Sequence, residues 1–184
     1  MQPKLTFTIL IVFLLLISVS VNAQTIEQSI PLKQGFNFIS FITVPTVTPS
    51  ELKQNNSLLV EDIYLYSSSA GAFLSFSEGT LTSLSAGKGY IIKAKNNGTL
   101  LVSGTAVKTV ENISLKTGFN LIGISVTIAP VSFTELMKKY NVIKGLYKWS
   151  SAAGSFIQVL SDMDGVPQII DGIDPKFNSG DSYF

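Results

Sequence analysis

The chain has 184 residues with 13 lysines and 12 acidic residues, and it contains no histidine, cysteine or arginine. The lack of histidine and cysteine excludes a Ser-His-Asp triad, a cysteine nucleophile, an ordinary zinc or copper site and a cysteine-held iron–sulfur cluster. The lack of arginine excludes bidentate guanidinium contacts to phosphate or guanine. A formal net charge of +1 gives no electrostatic reason to expect a nucleic-acid partner.

Residues 1–23 have the pattern of a secretory signal peptide. A basic residue precedes the unbroken apolar run Ile9–Ile17, and Val21-Asn22-Ala23 places small or short residues before Gln24. This order is typical of a cleaved export signal. The alternative, an uncleaved anchor helix, has an apolar stretch slightly shorter than the roughly 20 residues of a membrane span. We therefore expect a mature chain that is secreted or held at the cell surface, without membrane insertion after signal cleavage.

The rest of the chain contains one module twice, which predicts two domains, residues 24–106 and 107–184. Ile30–Ile39 returns 83 residues later as Ile113–Ile122, with seven of ten positions identical. Tyr64–Phe73 returns at the same offset as Tyr147–Phe156. Two blocks that agree on one offset indicate a duplication.

Each copy is predicted to be mainly β with one short helix. Near-continuous apolar segments at Phe36–Thr43 and Phe119–Thr127 indicate buried strands, and Ser50 and Ser132 are the expected N-caps of two short helices. Small-residue links containing glycine predict hairpins. The predicted hairpin strands are Ile63–Ser67 with Ala72–Ser77, Leu146–Ser150 with Phe156–Leu160, and Gly89–Lys95 with Thr99–Ser103 around Asn96-Asn97-Gly98. The expected fold is two tandem small β-sandwich or partly open barrel modules.

The second copy is predicted to lack its final strand or strands. It reaches Gly180–Phe184, the counterpart of Gly87–Ile91, and has nothing that corresponds to Ile92–Ser103. A missing strand leaves backbone hydrogen-bonding groups and an apolar groove uncovered. The expected partners are therefore other surface proteins or a further copy of this chain, joined by strand addition. The alternative is that the N-terminal segment of the same chain closes the sheet.

Three motifs resemble a tandem β module of exported bacterial cell-surface proteins. They are the start at Leu32–Ile39, the aromatic hairpin that contains Gly71, and Gly87-Lys88-Gly89-Tyr90-Ile91. That module usually has Gly-Trp-Asn-Leu-Ile-Ser at its start and Gly-Lys-Gly-Tyr-Trp at its end. In this chain Phe36 and Phe119 replace the tryptophan of the start motif. The resemblance implies an extracellular accessory, adhesive or structural role and supplies no catalytic residues.

Aromatic residues form the first group of candidate site residues. Tyr64 and Tyr66, like Tyr147 and Trp149, alternate on one face of their predicted strands. An exposed row of this kind could stack on sugar rings, as in a carbohydrate-binding accessory module. We favour the alternative that the rows pack inward, because large aromatic side chains dominate small cores.

Carboxylates form the second group. Asp162, Asp164 and Asp171 lie in an acidic C-terminal segment, and Asp162-Met163-Asp164-Gly165 resembles the first half of a calcium loop without its closing glutamate. The alternative is a solvated loop in which aspartate stabilises turns. A pair of carboxylates could also hydrolyse glycosides, but Glu61-Asp62 has Lys144-Gly145 as its counterpart in the second copy.

The sequence as a whole predicts a secreted or cell-surface, non-catalytic structural or adhesive β-repeat protein that is not an enzyme. Self-association or other surface proteins are the expected partners, and no nucleic acid is expected. No cofactor is expected, with calcium as the one candidate ion. The alternative function is a carbohydrate-binding accessory module with glycans as ligands.

Overall fold

The computed structural model describes residues 24–109, 112–126 and 129–184. The predicted signal peptide, residues 1–23, lies outside the described residues. Within those ranges, no helix is long and apolar enough to cross a membrane.

The described residues form twelve strands and two short helices, which confirms the prediction of a mainly β chain. In chain order the elements are β1 (Thr25–Leu32), β2 (Gly35–Ser40), β3 (Thr43–Pro45), α1 (Pro49–Asn55), β4 (Val60–Ser67), β5 (Ala72–Ser75), β6 (Gly89–Ala94), β7 (Gly98–Ala106), β8 (Ile122–Gly123), α2 (Phe133–Lys139), β9 (Gly145–Ser150), β10 (Ser155–Ser161), β11 (Pro167–Ile169) and β12 (Ser182–Tyr183).

The strands form three antiparallel sheets. The first copy contains a three-stranded sheet in the order β1-β7-β3 and a four-stranded sheet in the order β2-β6-β4-β5. The second copy contains a five-stranded sheet in the order β11-β10-β9-β12-β8. Read from β8, this sheet repeats the order of the four-stranded sheet and then adds β11 as a further edge strand.

The first copy is a sandwich whose core lies between its two sheets. Ile30 and Leu32 of β1, together with Leu100 and Val102 of β7, pack with buried residues of the four-stranded sheet and with Leu52 of α1. The second copy has a smaller core, built on one sheet, α2 and the segment before β12. Its buried members are Phe133, Met137, Leu146, Val159, Phe177 and Tyr183.

The predicted hairpins around Gly71 and Gly154 are confirmed, whereas the one around Asn96-Asn97-Gly98 is wrong. β4 pairs with β5, and β9 pairs with β10. β6 and β7, however, belong to different sheets, because β7 pairs with β1 and β3. Leu100 and Val102 of β7 instead enter the core from the layer opposite the four-stranded sheet.

Both short helices carry a capping box, in which a hydroxyl and a glutamate satisfy free backbone N–H groups. In α2 the N-cap is Ser132, as predicted, with Glu135 as its partner. In α1 the N-cap is Thr48 with Glu51, so the prediction of Ser50 is wrong. Ser50 lies inside the helix because Pro49 occupies its first turn, where a missing N–H costs nothing.

The turn that opens each copy is fixed by an asparagine. The backbone N–H of Lys33 donates to Oδ1 of Asn37 at 2.8 Å, and Nδ2 of Asn37 donates to the carbonyl of Lys33 at 2.7 Å. Asn120 makes the same pair of bonds to Lys116, at 2.9 and 2.8 Å. Gly35 and Gly118 supply the required positive φ angles of 93° and 95°. We call this pair of asparagine bonds the turn clamp.

The predicted strand Phe119–Thr127 is reduced, in its described part, to the two residues of β8. Its counterpart in the first copy forms both β2 and β3. β3 is held there by pairing with β7. Among the described residues of the second copy, no strand equivalent to β7 is present.

Candidate functional site

The junction between the two copies brings together three of the seven predicted site residues, Tyr66, Tyr147 and Trp149. Ile39 of β2 forms a bridge with Asp181, and Ile122 of β8 forms a bridge with Lys88. Ile122 is the counterpart of Ile39, and Asp181 is the counterpart of Lys88, so one contact is made twice with the copies exchanged. The contact is therefore isologous, as at the two-fold axis of a dimer.

Backbone hydrogen bonds follow the same approximate two-fold symmetry. The N–H of Ser40 donates to the carbonyl of Gly180 at 2.7 Å, and the N–H of Gly123 donates to the carbonyl of Gly87 at 3.3 Å. Ser40 and Gly123 are counterparts, as are Gly87 and Gly180. These bonds join the edges of two sheets and satisfy backbone groups that would otherwise lack a partner.

Counterpart residues meet at the centre of the junction, where a serine packs against a glycine. A Cβ atom on Gly123 would clash with the Ser40 hydroxyl and the Lys88 carbonyl. A Cβ atom on Gly89 would lie 2.6 Å from Cγ of Leu121 and 3.0 Å from Cβ of Ser182. The backbones approach this closely only because each pair contains one glycine.

Aromatic side chains from both copies fill the space beside these bonds, in what we call the aromatic layer. Its members are Phe38, Tyr66 and Phe73 from the first copy and Phe119, Tyr147, Trp149, Phe156 and Phe184 from the second. Phe184 lies within ring-contact distance of Tyr66 at 5.3 Å, Phe38 at 6.0 Å and Phe119 at 6.1 Å. Such edge-to-face pairs stabilise a packed interface beyond the area that they bury.

Trp149 is the most constrained member of the layer. Its ring stacks on Phe38 with centroids 5.5 Å apart and meets Phe156 edge-on at 5.0 Å. Its indole N–H donates to the carbonyl of Phe36 at 2.7 Å. One side chain therefore contacts the other copy through both its ring and its only hydrogen-bond donor.

The predicted aromatic rows are not in the core of either copy. In β4, Ile63 and Leu65 pack on the core of the first copy, so Tyr64 and Tyr66 face the other side. In β9, Leu146 belongs to the core of the second copy, and Tyr147 and Trp149 face away from it.

Three of the four predicted aromatic residues join the aromatic layer. Tyr66, Tyr147 and Trp149 pack on rings of the layer. Tyr64 lies beside charged groups instead, and burial followed by the charge of Asp62 raises the pKa of its hydroxyl. Sequence reasoning missed Phe38, whose ring partners all lie in the other copy, and Phe184, whose ring partners lie in both copies.

Two of the three predicted calcium ligands, Asp162 and Asp171, accept hydrogen bonds from backbone N–H groups. Oδ1 of Asp162 accepts from the backbone N–H groups of Asp164 at 3.0 Å and Val166 at 2.8 Å. Oδ2 of Asp171 accepts from the N–H of Gln158 at 2.9 Å. Among the residues that the structure describes, no group of three acidic, histidine or cysteine residues could hold a metal ion. Asp162 is thus an Asx-turn residue that ties together a loop of the second copy.

Three further carboxylates, those of Glu61, Asp62 and Asp181, bind cationic or hydrogen-bond donor groups. Glu61 forms an exposed ion pair with Lys93 at 2.6 Å, while Asp62 accepts from the N–H groups of Ile63 at 2.9 Å and Ser77 at 3.2 Å. Asp181 forms an ion pair with Lys148 at 2.8 Å, beside the ring of Tyr183. In none of these interactions do two carboxylates face each other.

Each copy also buries one tyrosine whose hydroxyl holds the preceding loop. The hydroxyl of Tyr90 accepts from the N–H of Ser85 at 2.8 Å, and the hydroxyl of Tyr183 accepts from the N–H of Asn178 at 2.9 Å. Burial raises the pKa of both hydroxyls. Each hydroxyl therefore ties the loop before its strand to a buried ring of the same copy.

A cavity of about 770 Å³ opens next to the junction, between residues 106–109, residues 112–114 and β8. Its described lining includes Lys88 and Lys108 but no acidic side chain. Apolar residues of the second copy, Ile113, Ile122 and Ile124, form one wall.

In comparisons with protein families, curated proteins and solved structures, no match to this chain was found.

Proposed function

We propose that this protein is an exported, non-catalytic β-repeat protein that has a structural or adhesive role at or outside the cell surface. The observation that carries the proposal is the isologous junction, where backbone hydrogen bonds and the aromatic layer hold the two copies together. A small protein built in this way presents a fixed outer surface, which suits adhesion or assembly better than substrate turnover.

The use of polar side chains supports a structural role. Asn37 and Asn120 hold turns, Thr48 and Ser132 cap helices, and Asp162 closes a loop. Hydrolysis of a glycoside needs two carboxyl groups about 5–10 Å apart across a substrate cleft. The described lining of the cavity beside the junction includes two lysines and no carboxylate.

The contacts of three of the four candidate aromatic residues favour the structural role over a carbohydrate-binding module. Sugar stacking needs an aromatic ring with a free face, and Trp149 is stacked on Phe38 while its N–H donates to a backbone carbonyl. Tyr66 and Tyr147 likewise contact rings of the aromatic layer.

Export and adhesion can be tested in cells that make the full chain. We expect protease treatment of intact cells to degrade the protein, and the N-terminal sequence of the exported form to begin at Gln24. Cells that make it should attach to one another or to a substratum more strongly than cells that carry an empty vector. Retention of the protein in the cytoplasm would contradict export, and unchanged attachment would contradict the adhesive role.

Assembly can be tested by sedimentation of the purified mature protein over a range of concentrations. Association through sheet edges predicts that the mean mass rises with concentration. A protein that stays monomeric at high concentration would show that it does not self-associate, and would leave other surface proteins as its partners.

A further inference from the structure

Residues 112–116 of the second copy belong to no strand in the described part of the chain. Their counterpart in the first copy is the end of β1, where Ile30 lies opposite Leu100 of β7 and Leu32 lies opposite Gly98. Ile30 and Leu32 are 5% and 2% exposed, whereas Ile113 and Leu115 are 47% and 50% exposed. The same apolar pattern is therefore covered in one copy and open in the other.

Residues that follow this segment in the chain are also less buried in the second copy than in the first. Ile39 and Phe41 are buried in the core of the first copy, but their counterparts Ile122 and Ile124 are only partly buried. Ile113, Ile122 and Ile124 line the cavity of about 770 Å³. The cavity thus lies against counterparts of residues that the first copy packs in its core.

The turn clamp keeps this segment in a defined orientation. Asn120 bonds to both backbone groups of Lys116, as Asn37 does to Lys33. The end of the segment is therefore bonded to Asn120 as the end of β1 is bonded to Asn37. A strand laid against residues 112–116 would begin beside the same kind of turn that β7 meets beside β1, where the N–H of Gln34 donates to Oδ1 of Asn97 at 2.9 Å.

We propose that the second copy accepts an extended strand from another polypeptide, which pairs with residues 112–116 as β7 pairs with β1. This inference rests on the proposed assembly function and names the site and the chemistry of the partner. The donor strand has apolar side chains at two alternate positions, because Leu100 and Val102 are the buried hydrophobic residues of β7. Pairing supplies backbone hydrogen bonds and burial of Ile113 and Leu115 supplies apolar stabilisation, which is the usual division in strand addition.

A peptide with the sequence of Asn96–Val107 is the direct probe, because it contains the whole of β7. We expect the fluorescently labelled peptide to bind the purified protein saturably, measured by anisotropy. A control peptide with Leu100→Lys and Val102→Lys should bind at least ten times more weakly. Absence of saturable binding by the unmodified peptide would overturn the proposal.

The protein variant Ile113→Lys/Leu115→Lys locates the site. Both side chains are half-exposed, so the variant should keep its fold, and circular dichroism checks this. We expect it to bind the peptide at least ten times more weakly, while the control variant Leu58→Lys, at an exposed leucine far along the chain, binds normally. Equal binding by the double variant would show that the peptide exchanges into the first copy, which would overturn the proposal.

The outcome is separable from the proposed function. If cells that make the protein adhere but the peptide does not bind, the strand-acceptor site is wrong and the adhesive role stands. If the peptide binds but attachment is unchanged, the acceptor site stands and the adhesive role is wrong.

Discussion

In the first copy Ile30 and Leu32 lie beneath a second sheet, whereas in the second copy Ile113 and Leu115 face solvent. The turn that follows them is nevertheless the same in both copies, with equivalent bonds from Asn37 and Asn120. The hairpin turns also match, since Ser67 accepts from Ala70 and Ser150 accepts from Ala153, both at 3.3 Å. Local polar motifs therefore form with or without the core that surrounds them.

The difference has a simple physical origin. A turn clamp or a capping box is satisfied by residues within four positions of each other. Burial of Ile30 depends on β7, which lies about 70 residues further along the chain. The second copy keeps the turn clamp and the capping box. Among its described residues it has no strand equivalent to β7.

Substitution of the counterpart leucines should give the largest difference between the copies. Leu32→Ala leaves a cavity in a closed core and should lower the free energy of unfolding by about 2–5 kcal/mol. Leu115→Ala removes a half-exposed side chain and should change it by less than about 0.5 kcal/mol. Urea denaturation at low protein concentration measures both. Equal losses would mean that Leu115 is buried in solution and would contradict the difference in burial between Leu32 and Leu115.

The junction should tolerate changes to Ser40 better than changes to Gly123. Gly123→Ala places a methyl group against the Ser40 hydroxyl and the Lys88 carbonyl, and overpacking of this kind costs about 1–3 kcal/mol. Ser40→Ala removes a buried hydroxyl that has no hydrogen-bond partner, and should stabilise the protein by up to about 1 kcal/mol.

The double variant Ser40→Ala/Gly123→Ala tests whether the two residues pack on each other. Because loss of the Ser40 hydroxyl would leave room for part of the new methyl group, the combined loss should be smaller than the sum of the single effects. Thermal melting of the four proteins measures this coupling. Strict additivity would contradict the packing of Ser40 on Gly123.

The two turn clamps should differ in strength because their surroundings differ. Asn37 is buried and also reaches the carbonyl of Ile92 at 3.4 Å. Its replacement by alanine should cost about 1–3 kcal/mol, since it leaves buried backbone groups unpaired. Asn120→Ala exposes the same groups to water and should cost less than about 1 kcal/mol. Urea midpoints of the two variants check the order, and a larger loss for Asn120→Ala would contradict it.

The smallest effect concerns the pH dependence of the second copy. Partial burial opposes ionisation of Asp174, but hydrogen bonds from Thr134 and Ser132 outweigh it and hold the pKa of this carboxyl below its usual range. A carboxyl with a lowered folded pKa stabilises the protein above its unfolded pKa of about 3.9. That stabilisation is lost as the pH falls through the folded pKa.

Asp174→Asn removes this titration. We expect the melting temperature of the variant to fall less steeply than that of the unmodified protein as the pH drops below about 4. The control is Asp164→Asn, since Asp164 is exposed. An unchanged slope for Asp174→Asn would contradict the role of Asp174 at the start of α2.

The sequence predicted the elements that depend on near neighbours. The hairpins around Gly71 and Gly154 and the helix after Ser132 were all identified from local patterns. The pairing of β6 with β7 was wrong, because Asn96-Asn97-Gly98 specifies a reversal of the chain but not the sheet that the next strand joins. That choice depends on which layer the apolar residues of β7 cover.

The candidate site could be predicted only in part. The alternation of Tyr64 with Tyr66 and of Tyr147 with Trp149 correctly places each pair on one face of its strand. The partners of these faces, such as Phe38 for Trp149, lie about 110 residues away in the chain. A repeat that carries aromatic residues on the face opposite its own core is the signal that could have indicated a contact between copies.

The pairing of Ser40 with Gly123 and of Ser182 with Gly89 has a consequence for how the protein responds to dilution and to change. A symmetric dimer of separate chains needs the same residue on both sides of its axis and dissociates when its concentration falls. Covalent linkage makes the contact intramolecular, so it persists at any concentration. It also frees the two sides to differ, and here each close approach has a serine on one side and a glycine on the other.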